Sequence, residues 1–318
     1  MHIKPSIQSI LSFSRSQKVD LLRLDSLHPI VSGNKFYKLR FYIAAAIENG
    51  CSTVVSFGGP YSNHIVALAF TAKEAKLKSI GYIRTNADEP MTPSLAEAKA
   101  YGMELVYLGR TDFQSKKASI LETNDAKSDT YFIDEGGYGI IGAKGAATIL
   151  SEQDTTHYDY IICAVGTGTM LAGCINAASP NQKIIGIPVL KNEGSIENEI
   201  NALLLDKNNP NYDLHNDPNY DSSNDSSNDK INSHSYTLLH QFHQGSYAKT
   251  NSMMIDFMNR LWDTEKIPTD IVYTSKLLFG VEQLIQENYF EKDTSILVIH
   301  SGGLQGNRSL PAGTLKFS

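Results

Sequence analysis

Short apolar runs alternate with stretches of helical periodicity along most of this chain, and this alternation limits its possible folds more than any other feature. The runs of strand length lie at 19–24, 53–57, 79–84, 104–108, 131–133, 159–165, 183–188, 236–240, 271–273 and 295–300. The stretches of helical periodicity lie at 36–49, 65–75, 94–101, 142–152, 195–205, 250–264 and 276–288, and a further helix is expected after the glycine-rich turn at 166–168. Strands that alternate with helices form βαβ units with right-handed crossovers. The sequence therefore predicts an α/β fold with parallel-rich open sheets flanked by helices.

Composition narrows the class of function. The chain has 318 residues, of which 41% are hydrophobic and 19% are charged, and its formal net charge is -6. This length suits two domains. The mild acidity and the lack of a Lys/Arg block argue against nucleic-acid and membrane-surface partners. Because the N-terminus has no signal pattern and no apolar run approaches about 18 residues, we expect a cytoplasmic protein without a membrane partner.

Cysteine and histidine spacing gives no sign of a metal site. Cys51, Cys163 and Cys174 are too widely spaced for a zinc site or a disulfide framework. Cys163 falls in an apolar run and is expected in the core. His240 and His243 are close in sequence but have no third ligand nearby. We therefore expect no bound metal.

The composition changes abruptly at residues 206–234, which are nearly all Asn, Asp, Ser and Pro. Such a segment cannot bury enough apolar surface to offset its ordering entropy. It is predicted to be a disordered insert at the surface. A tolerated loop expansion is favoured over a binding role, which stays open.

A pair of lysines follows a glycine-asparagine turn at Gly33-Asn34. Asparagine favours helix N-termini, so Lys35 should lie at the start of a helix. The helix dipole and the charge of Lys38 would lower the pKa of the Lys35 amine. An amine of lowered pKa suits Schiff-base chemistry. The alternative is that both lysines are solvated residues of a first helical turn.

Residues 165–169 form the clearest ligand signature. A buried run ends at Val165, and Gly166-Thr167-Gly168-Thr169 leads into a helix. Free N–H groups and hydroxyls at such a turn can bind an anion. The sequence matches neither a Walker A loop nor the dinucleotide fingerprint. It indicates a site for the phosphate of a smaller cofactor, with a plain tight turn as the alternative.

A second turn between a strand and a helix contains Ser62 and Asn63. At a helix N-terminus, these residues could bind a substrate carboxylate or present a hydroxyl to the substrate. The alternative is an ordinary N-cap. His64 is expected to pack or to form a hydrogen bond rather than to act as a base.

Six short motifs occur together: Gly-Asn-Lys-x-x-Lys-Leu, Gly-Gly-x-x-Ser-Asn-His, Ile-x-Glu-Gly-Gly, Gly-Thr-Gly-Thr, Val-Tyr-Thr-x-Lys and His-Ser-Gly-Gly. In this combination the chain resembles the 1-aminocyclopropane-1-carboxylate (ACC) deaminase / D-cysteine desulfhydrase family, pyridoxal-phosphate enzymes of the tryptophan synthase β fold. The resemblance implies a homodimer in which each chain holds the cofactor in a cleft between two domains. The larger domain would comprise 1–44 and 146–318, and the smaller one 45–145.

The resemblance also implies which residues bind the cofactor, pyridoxal 5'-phosphate. Lys35 would hold it as a Schiff base, and Asn63 would hydrogen-bond its ring 3-oxygen. Residues 165–169 would bind its phosphate, with Lys38 as a further contact. Thr274 would face the pyridine nitrogen.

The substrate would be a small amino acid. Ser62 would bind its carboxylate or act on it, and Tyr247 and Tyr273 match the two active-site tyrosines of the family. Two departures concern this region: Ala248 replaces the usual glycine, and Phe36-Tyr37 replace a small or apolar residue and an arginine.

Thr274 guides the choice of reaction. ACC deaminases of the family have a glutamate at this position, which keeps the pyridine ring protonated. A hydroxyl gives a weaker electron sink, which suits a substrate with a good β-leaving group. We therefore expect D-cysteine desulfhydrase activity that yields a 2-oxo acid, ammonia and sulfide. The alternatives are ACC deamination, an amino-acid racemase or dehydratase, and a catalytically silent cofactor-binding protein.

Overall fold

A computed structural model describes residues 4–123, 129–190, 195–204, 236–243 and 250–317. The expected insert at 206–234, Tyr247 and Ala248 lie outside the described residues.

Two sheets organise the described chain. The larger sheet has the strand order β1-β2-β10-β7-β8-β9, and the smaller sheet has the order β5-β4-β3-β6. The strands are β1 (Ser6–Ser9), β2 (Lys18–Arg23), β3 (Thr53–Gly58), β4 (Lys78–Arg84), β5 (Glu104–Leu108), β6 (Thr130–Ile133), β7 (Tyr160–Val165), β8 (Lys183–Pro188), β9 (Tyr236–Leu238) and β10 (Ser295–His300). Every pairing is parallel except that of β1 with β2. The α/β fold predicted from the alternation is confirmed.

Helices cover both sheets. They are α1 (Asn34–Glu48), α2 (Asn63–Glu74), α3 (Pro93–Ala100), α4 (Phe113–Thr123), α5 (Ile140–Ser151), α6 (Thr169–Ala177), α7 (Ile196–Asn201), α8 (Ser252–Glu265) and α9 (Thr274–Gln286). Within the described ranges, short 3-10 helices lie at Leu24–Ser26, Glu135–Gly137, His240–Phe242 and Leu304–Ser309.

The central strand β7 shows why its sequence is apolar throughout. Ile161 and Cys163 contribute to one hydrophobic cluster, whereas Ile162 and Ala164 contribute to a cluster on the opposite face. Side chains alternate between the faces of a strand, so a sheet covered on both sides needs apolar residues at every position. Cys163 is buried in the core, as expected.

One predicted strand differs from the structure, and two observed elements were not predicted. The strand predicted at 271–273 is wrong, because these residues form a turn before α9. The Asp270 carboxylate accepts the backbone N–H groups of Val272 and Tyr273, which are therefore not available to a strand ladder. Strand β1 and helix α4 were not predicted. Strand β1 lies at a sheet edge and contains a single apolar residue.

The division into two domains stays a proposal. All four strands of the smaller sheet fall within the proposed domain 45–145, and all six strands of the larger sheet fall outside it. Helix α1 crosses the proposed boundary between residues 44 and 45. Proteolysis that released no stable fragment near these boundaries would argue against the division.

The turn before α1 is packed tightly against the loop that follows β10. The N–H of Asn34 donates to the Ser301 carbonyl at 2.9 Å. Gly33 has a φ of +70°, and a Cβ built on it would lie 1.7 Å from that carbonyl oxygen. Only glycine allows this approach, which holds the start of α1 beside the carboxyl end of β10.

Substitution of Gly33 by alanine should destabilise the fold more than the same change at Gly50. Both glycines have a φ near +70°, but no atom lies within 4 Å of a Cβ built on Gly50. Gly50→Ala should therefore cost only the left-handed backbone strain, about 1–2 kcal/mol. Gly33→Ala should cost at least about 2 kcal/mol more, because Gly33 has a ψ of -151°, in a region that is essentially confined to glycine, and overpacking adds to this strain. Urea denaturation of the two variants measures this difference, and equal losses would contradict the tight packing.

Candidate active site

Carboxyl ends of parallel strands from both sheets surround a cavity of about 270 Å³. Its lining comes from the first turn of α1, the β3–α2 loop, the β7–α6 loop, the end of β4, the turn after β6 and the loop after β10. In open α/β sheets, ligands bind at the carboxyl ends of strands. The cavity is therefore the candidate active site.

Lys35 lies in the first turn of α1 and lines this cavity. The residue at the N-cap position is Gly33, and Asn34 is already helical, with its Oδ1 accepting a hydrogen bond from Lys35 Nζ at 2.8 Å. Burial lowers the pKa of Lys35 to about 8, and the negative charge of Asp270 partly offsets this effect. The direction agrees with the sequence-based expectation, but burial causes it, rather than Lys38. Much more of the amine is therefore unprotonated near neutral pH than in an ordinary lysine.

Lys38 lies in the same helix and is almost completely buried. Its Nζ donates to the Gly136 carbonyl at 3.2 Å. Burial, reinforced by the charge of Lys35, holds the pKa of Lys38 well below its usual value. Within the described chain, neither lysine forms an ion pair with a carboxylate. An anionic ligand would offset the unfavourable burial of both amines.

The β3–α2 loop brings Ser62 and Asn63 to the cavity. Ser62 is the N-cap of α2, and its Oγ accepts a hydrogen bond from the N–H of Ile65 at 3.3 Å. Capping does not keep Ser62 from the cavity, so both interpretations of this residue are compatible. Asn63 Nδ2 donates to the Gly303 carbonyl at 2.9 Å, and its buried Oδ1 has no partner among the described residues.

His64 is buried beside the same loop and lines the cavity. Its Nε2 shares a hydrogen bond of 2.8 Å with Ser56 Oγ, as the prediction of a hydrogen-bonded histidine requires. Burial lowers the pKa of His64 well below 6.5, and the charges of Lys35 and Lys38 lower it further. The ring is therefore neutral at pH 7.

The β7–α6 loop forms a glycine-rich turn at one side of the cavity. Val165, Gly166, Thr167 and Gly168 line it, whereas Thr169 is fully buried at the start of α6. The hydroxyls of the two threonines lie 2.9 Å apart. Gly168 has a φ of +78°, and a Cβ built on it would lie 2.7 Å from Ile200 Cγ1. Glycine is required there, and the first turn of α6 leaves free N–H groups that suit an anion.

Tyr273 lines the cavity, but its neighbour Thr274 does not. Thr274 is fully buried: its Oγ1 donates to Asp270 Oδ1 and accepts from the Asp270 N–H, both at 2.7 Å. Asp270 thus engages the Thr274 hydroxyl in both directions, and the expected place of Thr274 beside the pyridine nitrogen stays a prediction. The choice of reaction that rests on a threonine at the ring nitrogen likewise stays a prediction. Tyr247 lies outside the described residues.

Sequence interpretation missed three charged residues near this site. Arg84 and Glu135 line the cavity, and Asp270 is fully buried and influences the pKa of Lys35. Arg84 ends a strand and Glu135 closely follows one, so the rule that sites form at the carboxyl ends of strands could have found both. Asp270 precedes α9 by a few residues, which is a capping signal.

The residues present fit an aldehyde cofactor that carries a phosphate and a ring hydroxyl. Lys35 supplies an amine of lowered pKa, and the glycine-rich turn with Lys38 suits the phosphate. The unpartnered Oδ1 of Asn63 marks a polar position that a ligand can satisfy. This donor set matches pyridoxal 5'-phosphate.

The described residues contain no group of three or more His, Cys, Asp or Glu side chains arranged to hold a metal ion. Within the same ranges, no helix combines the length and the apolar character that crossing a membrane requires.

Comparison with known proteins identifies the family. The model of the family described as "Pyridoxal-phosphate dependent enzyme" matches residues 11–302. A putative ACC deaminase from Thermotoga maritima is 23% identical over 299 residues, with 90% of this chain and 88% of the relative covered. A D-cysteine desulfhydrase from Salmonella paratyphi A is 23% identical over 303 residues, with 89% and 86% covered. The crystal structure of an ACC deaminase homologue has a TM-score of 0.76 at 22% identity and covers 96% of this chain and 90% of its own. The chain belongs to the family of pyridoxal-phosphate-dependent enzymes.

Proposed function

We propose that this enzyme catalyses α,β-elimination on a small amino acid, most closely in the manner of a D-cysteine desulfhydrase. One observation carries the proposal: Lys35, with a pKa lowered to about 8, lines the same cavity as the glycine-rich turn and Ser62. A nucleophilic amine, an anion site and a carboxylate site are the three elements that such chemistry needs. Relatives named D-cysteine desulfhydrase and ACC deaminase support this substrate class.

Cofactor binding is assigned to one set of residues. Lys35 would hold the cofactor covalently, residues 165–169 and Lys38 would hold its phosphate, and Asn63 would contact its ring oxygen. When bound, pyridoxal phosphate supplies an electrophilic carbon and a ring that accepts electrons. Burial would keep more of the Lys35 amine unprotonated than in an ordinary lysine.

Substrate handling is assigned to a second set. The Ser62 hydroxyl and the first turn of α2 would bind the carboxylate and thereby fix the orientation of the α-hydrogen. The Lys35 amine, once free, would accept that proton, and Tyr273 would assist proton transfer to or from the β-substituent. Tyr247 is proposed for the same task. The bond to the β-substituent breaks by elimination, so the enzyme would be a lyase rather than a hydrolase.

ACC deamination is the second candidate. Several relatives are named for this activity. Thr274, in place of the glutamate expected of ACC deaminases, is the argument against it. Ser62 and a tyrosine would then assist in opening the ring. The two activities differ in the bond broken but use the same lysine and the same anion site.

Release of 2-oxo acid separates these candidates. The cofactor-loaded protein is incubated in parallel with D-cysteine, L-cysteine, D-serine and ACC. Pyruvate and sulfide from D-cysteine are expected, whereas 2-oxobutyrate from ACC would establish the deaminase instead. Loss of optical activity without 2-oxo acid would indicate a racemase, and bound cofactor without any product would indicate a silent binding protein.

Capture of pyridoxal phosphate by the apo-protein should accelerate with pH around a midpoint near 8. The unprotonated amine is the nucleophile, and a lysine with a pKa of about 8 is about one tenth unprotonated at pH 7. The second-order rate constant should therefore rise about tenfold between pH 7 and pH 9. Stopped-flow absorbance measures it, with butylamine as a reference for titration of the cofactor itself. A rate that continues to rise to pH 10, as for an ordinary lysine, would contradict the lowered pKa.

A homodimer and a cytoplasmic location complete the proposal. The family resemblance supports the first, and the ordinary acidic composition supports the second. Sedimentation equilibrium at the mass of a single 35.0 kDa chain would exclude the dimer.

A further inference from the structure

Arg84 ends strand β4 and lines the cavity, but no step of the proposed reaction uses it. Its guanidinium carbon lies 5.2 Å from the centre of the Phe113 ring, and this contact orients the guanidinium plane. A Cβ built on Gly59 would lie 3.9 Å from Arg84 Nη2. The guanidinium is therefore next to the β3–α2 loop, which also carries Ser62.

The hydrogen-bonding capacity of Arg84 is largely unused. Its acidic neighbour is Glu135, whose Oε1 lies 3.5 Å from Nη2, beyond normal hydrogen-bond length. Among the residues that the structure describes, the Arg84 guanidinium donates no hydrogen bond. A guanidinium offers five donors in a plane that matches a carboxylate or a sulfate. The Arg84 and Glu135 side chains are 41% and 30% exposed, so their mutual attraction is weak.

The other positive charges in the lining already have assigned tasks. Lys35 and Lys38 would serve the cofactor, and the α-carboxylate of the substrate would bind at Ser62. Arg84 is thus a positively charged residue in the cavity lining to which the proposed reaction assigns no role. Its position suits a second acidic group on the same ligand.

We propose that Arg84 is a specificity-determining residue that binds an anionic β-substituent of the amino-acid substrate. This proposal depends on the proposed function for the position of the α-carboxylate. An anionic side chain would form charge-assisted hydrogen bonds with donors that are otherwise unused. With a neutral substrate side chain, these Arg84 donors would interact only with Glu135 and water.

Glu135 would act as the competitor of the ligand. It lies in the short 3-10 helix Glu135–Gly137, which Lys38 contacts through the Gly136 carbonyl. An incoming anion must displace Glu135 from Arg84, and the negative charge of Glu135 opposes its approach. Removal of this charge should therefore strengthen the preference for anionic ligands, whereas removal of the Arg84 charge should abolish it.

Isothermal titration calorimetry on the cofactor-loaded protein tests this without turnover. Succinate carries two carboxylates and butyrate carries one, and neither has an amine that can react. Succinate should bind about tenfold more tightly than butyrate, as expected for one charged hydrogen-bonding interaction. This ratio should fall to about one in Arg84→Gln, recover partly in Arg84→Lys and increase in Glu135→Gln.

Arg110→Gln is the matched control, because Arg110 forms an exposed ion pair with Glu89 outside the cavity lining. It should retain the ratio of the unmodified protein. A ratio that is unchanged in Arg84→Gln would overturn the proposal. A loss of both ligands to the same extent would also overturn it, since Arg84 would then bind the α-carboxylate or support the fold.

A kinetic comparison completes the test. O-sulfo-D-serine and 3-chloro-D-alanine both yield pyruvate and ammonium with one water consumed, and they release sulfate and chloride, respectively. Arg84→Gln should lower the ratio of their kcat/KM values about tenfold at the expense of the sulfate ester. If neither compound gives pyruvate, the proposed elimination fails, but the calorimetric ratio still decides the role of Arg84.

Discussion

Replacement of Lys35 by alanine is expected to abolish covalent cofactor binding and to lower turnover by roughly three orders of magnitude or more. Lys35 is the lysine of lowered pKa that reaches the cavity from the first turn of α1. It is proposed both to hold the cofactor and to carry the α-proton, so a single change removes two functions. Absorbance of the dialysed protein measures the first loss, and 2-oxo acid release measures the second.

Lys38→Met is the informative companion variant. Lys38 has the same side-chain chemistry in the same helix, but its Nζ donates to the Gly136 carbonyl. This variant should still attach the cofactor covalently, but with a weaker affinity for it. Added inorganic phosphate, which competes for the phosphate site, should lower this affinity less than it does in the unmodified protein. After borohydride reduction, mass spectrometry should locate the adduct on Lys35 in both the unmodified protein and Lys38→Met. An adduct on Lys38, or retention of the absorbance band in Lys35→Ala, would contradict the assignment of Lys35.

The features of this site that could be predicted depend on short contiguous segments of the sequence. A strand that ends in Gly166-Thr167-Gly168 and a glycine before Lys35 reveal local backbone geometry without knowledge of the fold. Both segments indeed line one cavity. Alternation of strands and helices likewise predicted the fold class, because each βαβ unit is local in sequence.

The parts that could not be predicted depend on contacts between distant segments. The close contact between Gly33 and Ser301 depends on the position of the last strand in the sheet. The low pKa of Lys35 comes from burial, which no local pattern reveals. The motif that contains Thr274 predicted a position next to the cavity-lining Tyr273, but not that the Asp270 carboxylate would accept the hydrogen bond of the Thr274 hydroxyl. Local patterns thus located the site, and tertiary contacts determine which atoms face it.

Substitution of Asp270 by alanine should destabilise the protein by about 3–5 kcal/mol, although Asp270 is not part of the cavity lining. Its carboxylate is completely buried and accepts the N–H groups of Val272, Tyr273 and Thr274 and the Thr274 hydroxyl at 2.7–3.1 Å. Burial raises the pKa of Asp270, while these hydrogen bonds act in the opposite direction. Alanine would remove the acceptor of these four donors, three of which are buried, and water could not replace the carboxylate. Urea denaturation of the apo-protein measures the loss.

Asp129→Ala is the control, because it removes a carboxylate that accepts a backbone N–H group at a solvent-exposed position. Asp129 accepts the N–H and the hydroxyl of Ser52, but it is exposed, so water can take its place and the loss should be about 1 kcal/mol. Equal losses in the two variants would show that burial of Asp270 has no energetic consequence. Asp270→Ala should also act on chemistry, because the Asp270 charge partly offsets the lowering of the Lys35 pKa by burial. If the variant folds, the pH midpoint of its cofactor capture should therefore move below 8. An unchanged midpoint would show that Asp270 has a structural role and no effect on the Lys35 amine.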